Sequence, residues 1–315
     1  MSKAFFEILR PGINSTLQDL GRNNMNHFGI PFSGAIDKRN YLISNQLVSN
    51  NLNKPALEFA YQGPHLKLKF GKVTCAITGN VAFNIIKNNK IEEGECYKTF
   101  ELGPDDEIDI FSTNKSVYGY FSVNDGFVGD SFWNSCSVNT KAKIGSNNGE
   151  KFSKGEKIFL NNLECVSNNK KIEYINSKIE YIRILKGTNF DYFSDKAKKN
   201  FFEKEFIVSK LADRMGMRLE GPTIENIVNT NIKSEGLIKG VIQVPADGNP
   251  IIMLSDHGTI GGYPKIGVVI SADYDKLAQS TPGSKIKFKL IDLLEAENLY
   301  KIYTMETQNI LNQIK

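Results

Sequence analysis

Apolar and polar positions alternate with a period of two over many short windows of the chain, and Gly, Pro and Asn break the windows apart. Phe5–Leu9 reads as a first strand stopped by Pro11-Gly12. Ala56–Ala60, Leu66–Phe70, Val73–Thr78, Ile108–Phe111, Val117–Val123 and Ile158–Leu160 continue the series. Leu66–Phe70 alternates Leu with Lys, as a half-exposed strand does. Farther on, Ile179–Leu185, Phe206–Ser209, Arg214–Leu219, Val241–Val244, Ile251–Leu254, Ile266–Ile270 and Lys285–Leu290 predict further strands. Helical spacing is sparse. It predicts one helix over 38–50 with Asp37 as its cap, one over Phe190–Phe202, and a C-terminal helix opened by Asp292 and Glu295. Leu299, Tyr303, Ile310 and Ile314 share a side of that last helix. Residues 14–36 lack periodicity and predict a long loop, which in a compact domain is often functional.

Strand-dense segments with few helices point to barrels or sandwiches rather than βαβ units. The expected class is mainly β, with a few short helices and a C-terminal helix. A length of 315 residues accommodates two domains. The asparagine-rich segment Asn161–Asn176 reads as a linker or exposed hairpin, which divides the chain into 1–170 and 171–315.

Composition narrows the classes of function. Hydrophobic residues make up 40% and charged ones 23%, ordinary for a globular protein. The net charge of +4 is dispersed without a dense Lys/Arg block, so no nucleic-acid partner is expected. No apolar run is long enough for a membrane span, and Met1–Glu7 has no signal-peptide core. Cys75, Cys96, Cys136 and Cys165 form no CxxC pair. They read as reduced thiols of a cytoplasmic protein, with no metal site. His27, His65 and His257 lack metal-hydrolase spacing. P-loop, dinucleotide and nucleophile-elbow motifs are absent, and no Met-Lys-Met hairpin provides a built-in biotin.

The chemistry that remains is concentrated in 241–273, where two β-branched runs flank a polar, glycine-rich link. Asp256, His257, Thr259, Gly261, Gly262, Tyr263 and Lys265 lie there, with Gln243 just upstream. Paired glycines let a backbone approach a ligand and offer N–H donors to an anion. A tight turn with satisfied polar groups is the plainer alternative. On an alternating strand Arg214, Gly216, Arg218 and Glu220 project to one face. Two guanidiniums there suit a carboxylate or phosphate, unless Glu220 or Asp213 neutralises them. Arg22, Asp37 and Glu58 are further polar residues in unusual settings.

The stretch PGINSTLQDLGRNNMNHFGIPFSGAIDKRNYLISNQLVSNNLNKPALEFAYQGP resembles the opening of a known family, that of the 5-oxoprolinase C subunit, allophanate hydrolase subunit 2, the biotin-dependent carboxyltransferase domain and KipA-like proteins. DRMGMRLEGP is similar to the family's R-x-G-x-R-L-x-G-P strand, and SEG with GVIQVPADGNPIIMLSDHGTIGGYPKIGVVISADYDKLAQSTPGSKIKF to its C-terminal signature. Two blocks depart from the pattern. Gly258 stands where a glutamine is common, and Asn134-Ser135-Cys136-Ser137 replaces a Gly-Ser-Arg-Ser-like run.

The resemblance implies cyclophilin-like β-barrel domains. It implies an ATP-dependent 5-oxoprolinase that opens 5-oxo-L-proline to L-glutamate, with ATP and Mg2+ as substrate of the complex. The implied partners are the enzyme's A subunit and its KipI-like B subunit. Two alternatives attach to the same family: carboxyl transfer from carboxybiotin to urea or a similar amide, and a non-catalytic regulator that binds a KipI-like kinase inhibitor. On the oxoprolinase reading Asp256, Thr259 and Lys265 are the candidate catalytic residues. Arg214, Arg218, Gly261, Gly262, Tyr263, Gln243, Arg22, Asp37 and Glu58 are the candidates for substrate or anion binding.

Overall fold

The structure, a computed structural model, describes residues 4–161, 169–174, 179–228 and 230–314. By internal contacts the chain forms two units. The first holds Met1–Arg22, Ser33–Ile175 and Thr307–Lys315, and the second holds Asn23–Phe32 and Asn176–Glu306. The grouping therefore differs from two consecutive halves at 23–32 and at the C-terminus.

In the first unit the strands are β1 (Phe5–Arg10), β2 (Thr16–Gln18), β3 (Ala56–Ala60), β4 (His65–Lys69), β5 (Val73–Thr78), β6 (Ala82–Lys87), β7 (Lys90–Glu93), β8 (Thr99–Leu102), β9 (Glu107–Ser112), β10 (Tyr118–Val123) and β11 (Lys157–Phe159). They build a six-stranded sheet, β11-β1-β4-β9-β6-β7, and a five-stranded sheet, β2-β3-β10-β5-β8. Side-chain alternation sends Phe6, Ile8, Leu66, Leu68, Ile108 and Ile110 from the first sheet, and Leu57, Phe59, Cys75, Ile77 and Phe121 from the second, into one core. The opposite face of the second sheet is covered by α1 (Lys38–Leu47), where Tyr41, Ile43 and Leu47 meet Ala56, Ala76 and Tyr120. This double covering leaves β3, β5 and β10 buried along their whole length. Asp37 caps α1 as the sequence predicts, accepting from Asn40 N at 3.0 Å.

The second unit runs β12 (Ile182–Lys186), α2 (Asp195–Glu203), β13 (Phe206–Val208), β14 (Gly216–Glu220), β15 (Glu235–Gly236), β16 (Val241–Gln243), β17 (Ile251–Met253), β18 (Ile260–Gly261), β19 (Lys265–Val269), α3 (Ser271–Ala278), β20 (Lys285–Ile286), β21 (Phe288–Leu290) and α4 (Leu293–Gln313). Eight strands form one sheet in the order β20-β13-β14-β17-β16-β19-β12-β21. Its first and last strands are separated along the chain by Lys287 alone, so the sheet curls back on itself as a nearly closed barrel. The pair β15–β18 forms a separate two-stranded ribbon.

The mainly β expectation holds, with corrections in detail. The loop over 14–36 contains β2, and α1 ends at Leu47 instead of reaching residue 50. The helix expected from Phe190 starts at Asp195, after a 3-10 turn at Phe190–Tyr192. Lys285–Leu290 breaks at Lys287 into two strands at opposite edges of one sheet. Strands β6, β7, β8, β15 and β18 are not among the predicted elements, nor is α3. Of Asn161–Asn176, residues 162–168 and 175–176, including Cys165, lie outside the described residues. Within the described part Lys171 bridges Lys98 and Ile172 is buried, so that part is no exposed hairpin. Cys75, Cys96 and Cys136 are free thiols. Helix α4 opens on Asp292, which accepts from Glu295 N at 2.8 Å. Its Leu299 and Tyr303 pack against Ile270 and Ile291 in the second unit, and its Leu311 and Ile314 join the Tyr41 cluster of the first. No helix among the described residues is long and apolar enough to cross a membrane.

Candidate functional site

In the second unit the central strands of the barrel carry buried polar side chains. Lys265 opens β19 opposite Gln243 of β16, and both are buried. The Lys265 side chain is 4% exposed, and its ammonium lies 2.8 Å from Glu235 Oε2, whose side chain is 45% exposed. An ammonium has three N–H donors, and among the described residues only Glu235 accepts from this one. The hydrogen bond from Lys265 holds the Glu235 carboxyl below its ordinary range, opposed by partial burial and aided by Asn189 and Thr188. Asn189 Oδ1 also accepts from Lys265 N at 3.1 Å, tying the start of β19 to the turn before α2.

Gln243 donates from Nε2 to the Tyr263 carbonyl at 3.3 Å. Gly261 lies over this amide: a Cβ there would come within 2.6 Å of Gln243 Nε2 and 2.8 Å of Leu237 Cδ1. Only glycine lets the strand pass so close. The expected role of the Gly261-Gly262 backbone as a bare anion nest changes accordingly. Gly261 belongs to β18, paired with Glu235 in β15, and the Gly262 carbonyl accepts from Ile232 N at 2.9 Å. Thr259 takes part through its carbonyl, which accepts from Leu237 N. Tyr263 is 38% exposed at the rim.

Asp256 is placed differently from the sequence expectation. It forms a bidentate pair with Arg214, at 2.8 Å to Nε and 3.0 Å to Nη2, with side chains 4% and 6% exposed. Each of its oxygens takes one guanidinium N–H, so the carboxylate is the counter-charge of a buried arginine. Arg214 precedes β14 and turns inward, whereas Arg218 lies on the exposed positions of that strand with Glu220. The expected pair of guanidiniums on one face is therefore not formed. Next to Asp256, burial lowers the His257 pKa, and His257 Nδ1 lies 2.6 Å from the Gly258 carbonyl, which assigns that nitrogen as the donor. Tyr274 lies beside Ser255, and the Lys239 ammonium stands 4.1 Å above its ring; burial pushes the phenol well up. Lys239 is also 5.7 Å from the ring of Phe32, in the 23–32 segment that belongs to this unit.

Arg22, Asp37 and Glu58 belong to the first unit, in two buried networks. Arg22 donates to the carbonyls of Phe132, Ser135 and Ser137. Asp19, which residue chemistry did not single out, accepts from Gly21 N, Ser135 Oγ, Cys136 N and Ser137 Oγ at 2.6–2.8 Å. The variant block Asn134–Ser137 is thus held by its serines and its backbone. Glu58 Oε2 accepts from Tyr120 OH at 2.7 Å and from Ile36 N at 2.9 Å, and Tyr120 OH accepts from Asp37 N. These three residues hold loops and a helix end in place. Glu235 and Asn189 escaped the sequence reading because neither lies in the glycine-rich link. Glu235 does sit in the SEG block that carries the family resemblance, and that was the available signal.

Residues 28–290 match the family model described as carboxyltransferase domain, subdomain A and B. The chain is 31% identical to the 5-oxoprolinase C subunit of Haemophilus influenzae, over 98% of this chain and 99% of that one. It is 29% identical to the 5-oxoprolinase C subunit of Escherichia coli, over 92% of each. The fold superposes on Kluyveromyces lactis urea carboxylase with a TM-score of 0.88 at 24% identity, covering 100% of this chain and 30% of the larger one.

Proposed function

Because the chain belongs to the carboxyltransferase subdomain A and B family, we propose that it is the C subunit of an ATP-dependent 5-oxoprolinase, active together with the A and B subunits. The observation that carries this reading is the end-to-end match with proteins of that name, which leaves almost no part of either chain over. The Gln243–Lys265–Glu235 cluster supports it chemically. 5-Oxoproline presents a planar lactam amide and a carboxylate, and the cluster offers a carboxamide and an ammonium with N–H donors to spare.

A lactam resists water until its carbonyl oxygen is activated; developing negative charge there must then be met by fixed donors. In our reading Gln243 aligns the amide and Lys265 balances anionic charge. The Arg214–Asp256 pair supports the strands beneath them. ATP and its magnesium enter as substrate of the assembled enzyme. A triphosphate needs several cations or N–H donors around it, and this cluster offers one ammonium already countered by Glu235, so we assign the cluster to the lactam and its carboxylate.

The test is phosphate release by the chain reconstituted with its co-encoded partners, in ATP and magnesium, with and without 5-oxoproline. The expected outcome is release that depends on 5-oxoproline and equals the glutamate formed. The family's carboxyltransferase character favours a second reading, carboxyl transfer to urea or a related amide. That reading gains if 5-oxoproline has no effect while a carboxybiotin donor carboxylates urea. A stable partner complex inert to both substrates leaves the regulatory role.

A further inference from the structure

We propose that Glu235 is a resident carboxylate that occupies the place of the substrate's own carboxylate on Lys265, and that substrate binds by displacing it. The inference relies on the oxoprolinase reading for the identity of the incoming carboxylate, and on geometry for the exchange itself.

The two partners of this ion pair are held very differently. Lys265 begins a five-residue strand in the middle of the barrel sheet, with neighbours on both sides, and its side chain is 4% exposed. Its backbone is fixed further by Asn189. Glu235 is in a two-residue strand that pairs with another two-residue strand outside the barrel sheet, and nothing lies within 4 Å of a Cβ built on the adjacent Gly236. Its carboxylate is half in solvent. The cation is buried on a strand held from both sides, while the anion, which Thr188 Oγ1 also reaches at 3.5 Å, has a route to water.

Such an arrangement solves a chemical problem. A buried ammonium without a counter-charge is strongly unfavourable, so a site that must receive an anion needs a stand-in while empty. Glu235 supplies it, and its removal to solvent is easy because it is already half hydrated. Two N–H donors of Lys265 have no acceptor among the described residues, so the ammonium has donors for an incoming carboxylate that takes the place of Glu235. Gln243 across the strand pair presents its carboxamide to the remainder of the ligand. A substrate with both an amide and a carboxylate uses both features. A neutral amide such as urea leaves Glu235 where it is.

The experiment is an NMR titration of the 15N-labelled lysine ammonium groups of the full chain, with Lys265 assigned by Lys265→Arg. The ligands are 5-oxoproline, acetate, and 2-pyrrolidinone, which is the same lactam without a carboxylate. Alongside it, kinetics of the reconstituted enzyme compare wild type with Glu235→Gln, a surface substitution that keeps the shape. Both carboxylates are expected to shift the Lys265 signal and 2-pyrrolidinone to leave it in place. Glu235→Gln is expected to lower the half-saturating concentration of each carboxylate about fivefold, the scale of a half-exposed ion pair. The KM for 5-oxoproline is expected to fall with it.

A Lys265 signal that answers to carboxylates in a preparation with no 5-oxoproline-dependent turnover supports the exchange and sinks the oxoprolinase reading alone. Turnover on 5-oxoproline with a Lys265 signal indifferent to carboxylates overturns the exchange and leaves the function standing. Weaker carboxylate binding in Glu235→Gln also overturns it.

Discussion

Asp256 meets Arg214 twice, Oδ2 at 2.8 Å from Nε and Oδ1 at 3.0 Å from Nη2, and the Asp256 N–H also donates to the Arg214 carbonyl at 2.8 Å. Residues 42 apart in sequence are thereby locked side chain to side chain and main chain to main chain. The pair ties the turn after β17 to the segment entering β14. Its position beside the glycine-rich link makes Asp256 look catalytic in the sequence, yet the bidentate bond uses both carboxylate oxygens.

Removing either partner leaves an uncompensated charge in a buried site. Asp256→Ala is expected to lower unfolding free energy by about 3–5 kcal/mol, and Arg214→Ala by a similar amount. The double substitution Arg214→Met with Asp256→Leu recovers much of that loss, because it strands no charge. Urea denaturation of the four proteins checks this. A single mutant within about 1 kcal/mol of wild type would show that the pair is dispensable, and would reopen a chemical role for Asp256.

Gly261 and Gly258, three residues apart, are expected to respond in opposite ways. Alanine at Gly261 must push aside Gln243 and Leu237, from 2.6 and 2.8 Å. Overpacking of that kind costs about 1–3 kcal/mol, and here it also turns the Gln243 amide. At Gly258 the nearest atom to a new Cβ is the Ile260 carbonyl oxygen at 3.6 Å, and the residue is exposed. Gly258→Ala therefore stays within about 0.5 kcal/mol of wild type. Thermal melts of both variants, with turnover of the reconstituted enzyme, make the comparison. Equal losses at the two positions would contradict the packing argument.

Acid should expose the contribution of Glu235. Its carboxyl is held below the ordinary 4.5, chiefly by the hydrogen bond from Lys265. A depressed carboxylate stabilises the folded state above the ordinary value, and that stabilisation disappears as pH falls through the depressed one. With Glu235 half exposed the amount is under about 1 kcal/mol. Wild type should exceed Glu235→Gln in urea midpoint at pH 7, and the gap should close below about pH 4.5. A gap that widens in acid would reverse the assigned sign.

The Lys265–Glu235 relationship also shows what a sequence can and cannot disclose. The alternation of Leu66 and Leu68 with lysines marks a strand with one face on a core, and the continuous apolar runs at Val73 and Ile266 mark strands covered on both faces. Strand β7 could not be read that way. Lys90–Glu93 is exposed throughout and is held by its ladder with β6, so it carries no apolar signal. The site divides along the same line. Lys265, Gly261 and Gln243 stood out because they cluster within a short stretch. Glu235 comes from 30 residues away through a two-residue ribbon, and Arg214 from 42 residues away through a pairing of β14 with β17. Long-range register, which no local window contains, decides which candidate carboxylate is tied up and which is open to water.

Asp19 provides the strongest expectation in the first unit. Its Oδ1 accepts from Gly21 N, Ser135 Oγ and Ser137 Oγ, and its Oδ2 from Cys136 N at 2.7 Å. Arg22 donates to the Ser135 and Ser137 carbonyls of the same segment. In Asp19→Asn an NH2 must face one of these donors whichever way the amide turns. If the oxygen keeps the three partners on one side, the NH2 confronts the Cys136 N–H. The expected loss is about 2–3 kcal/mol, the scale of a buried donor left without an acceptor to a charged group. Cys136→Ala keeps the backbone N–H that Asp19 uses, and should cost under about 1 kcal/mol. Amide hydrogen exchange at Cys136 separates the two cases: fast exchange in Asp19→Asn with slow exchange in Cys136→Ala is expected. If both variants exchange alike, the segment is held by its packing and the Asp19 carboxylate is not its anchor.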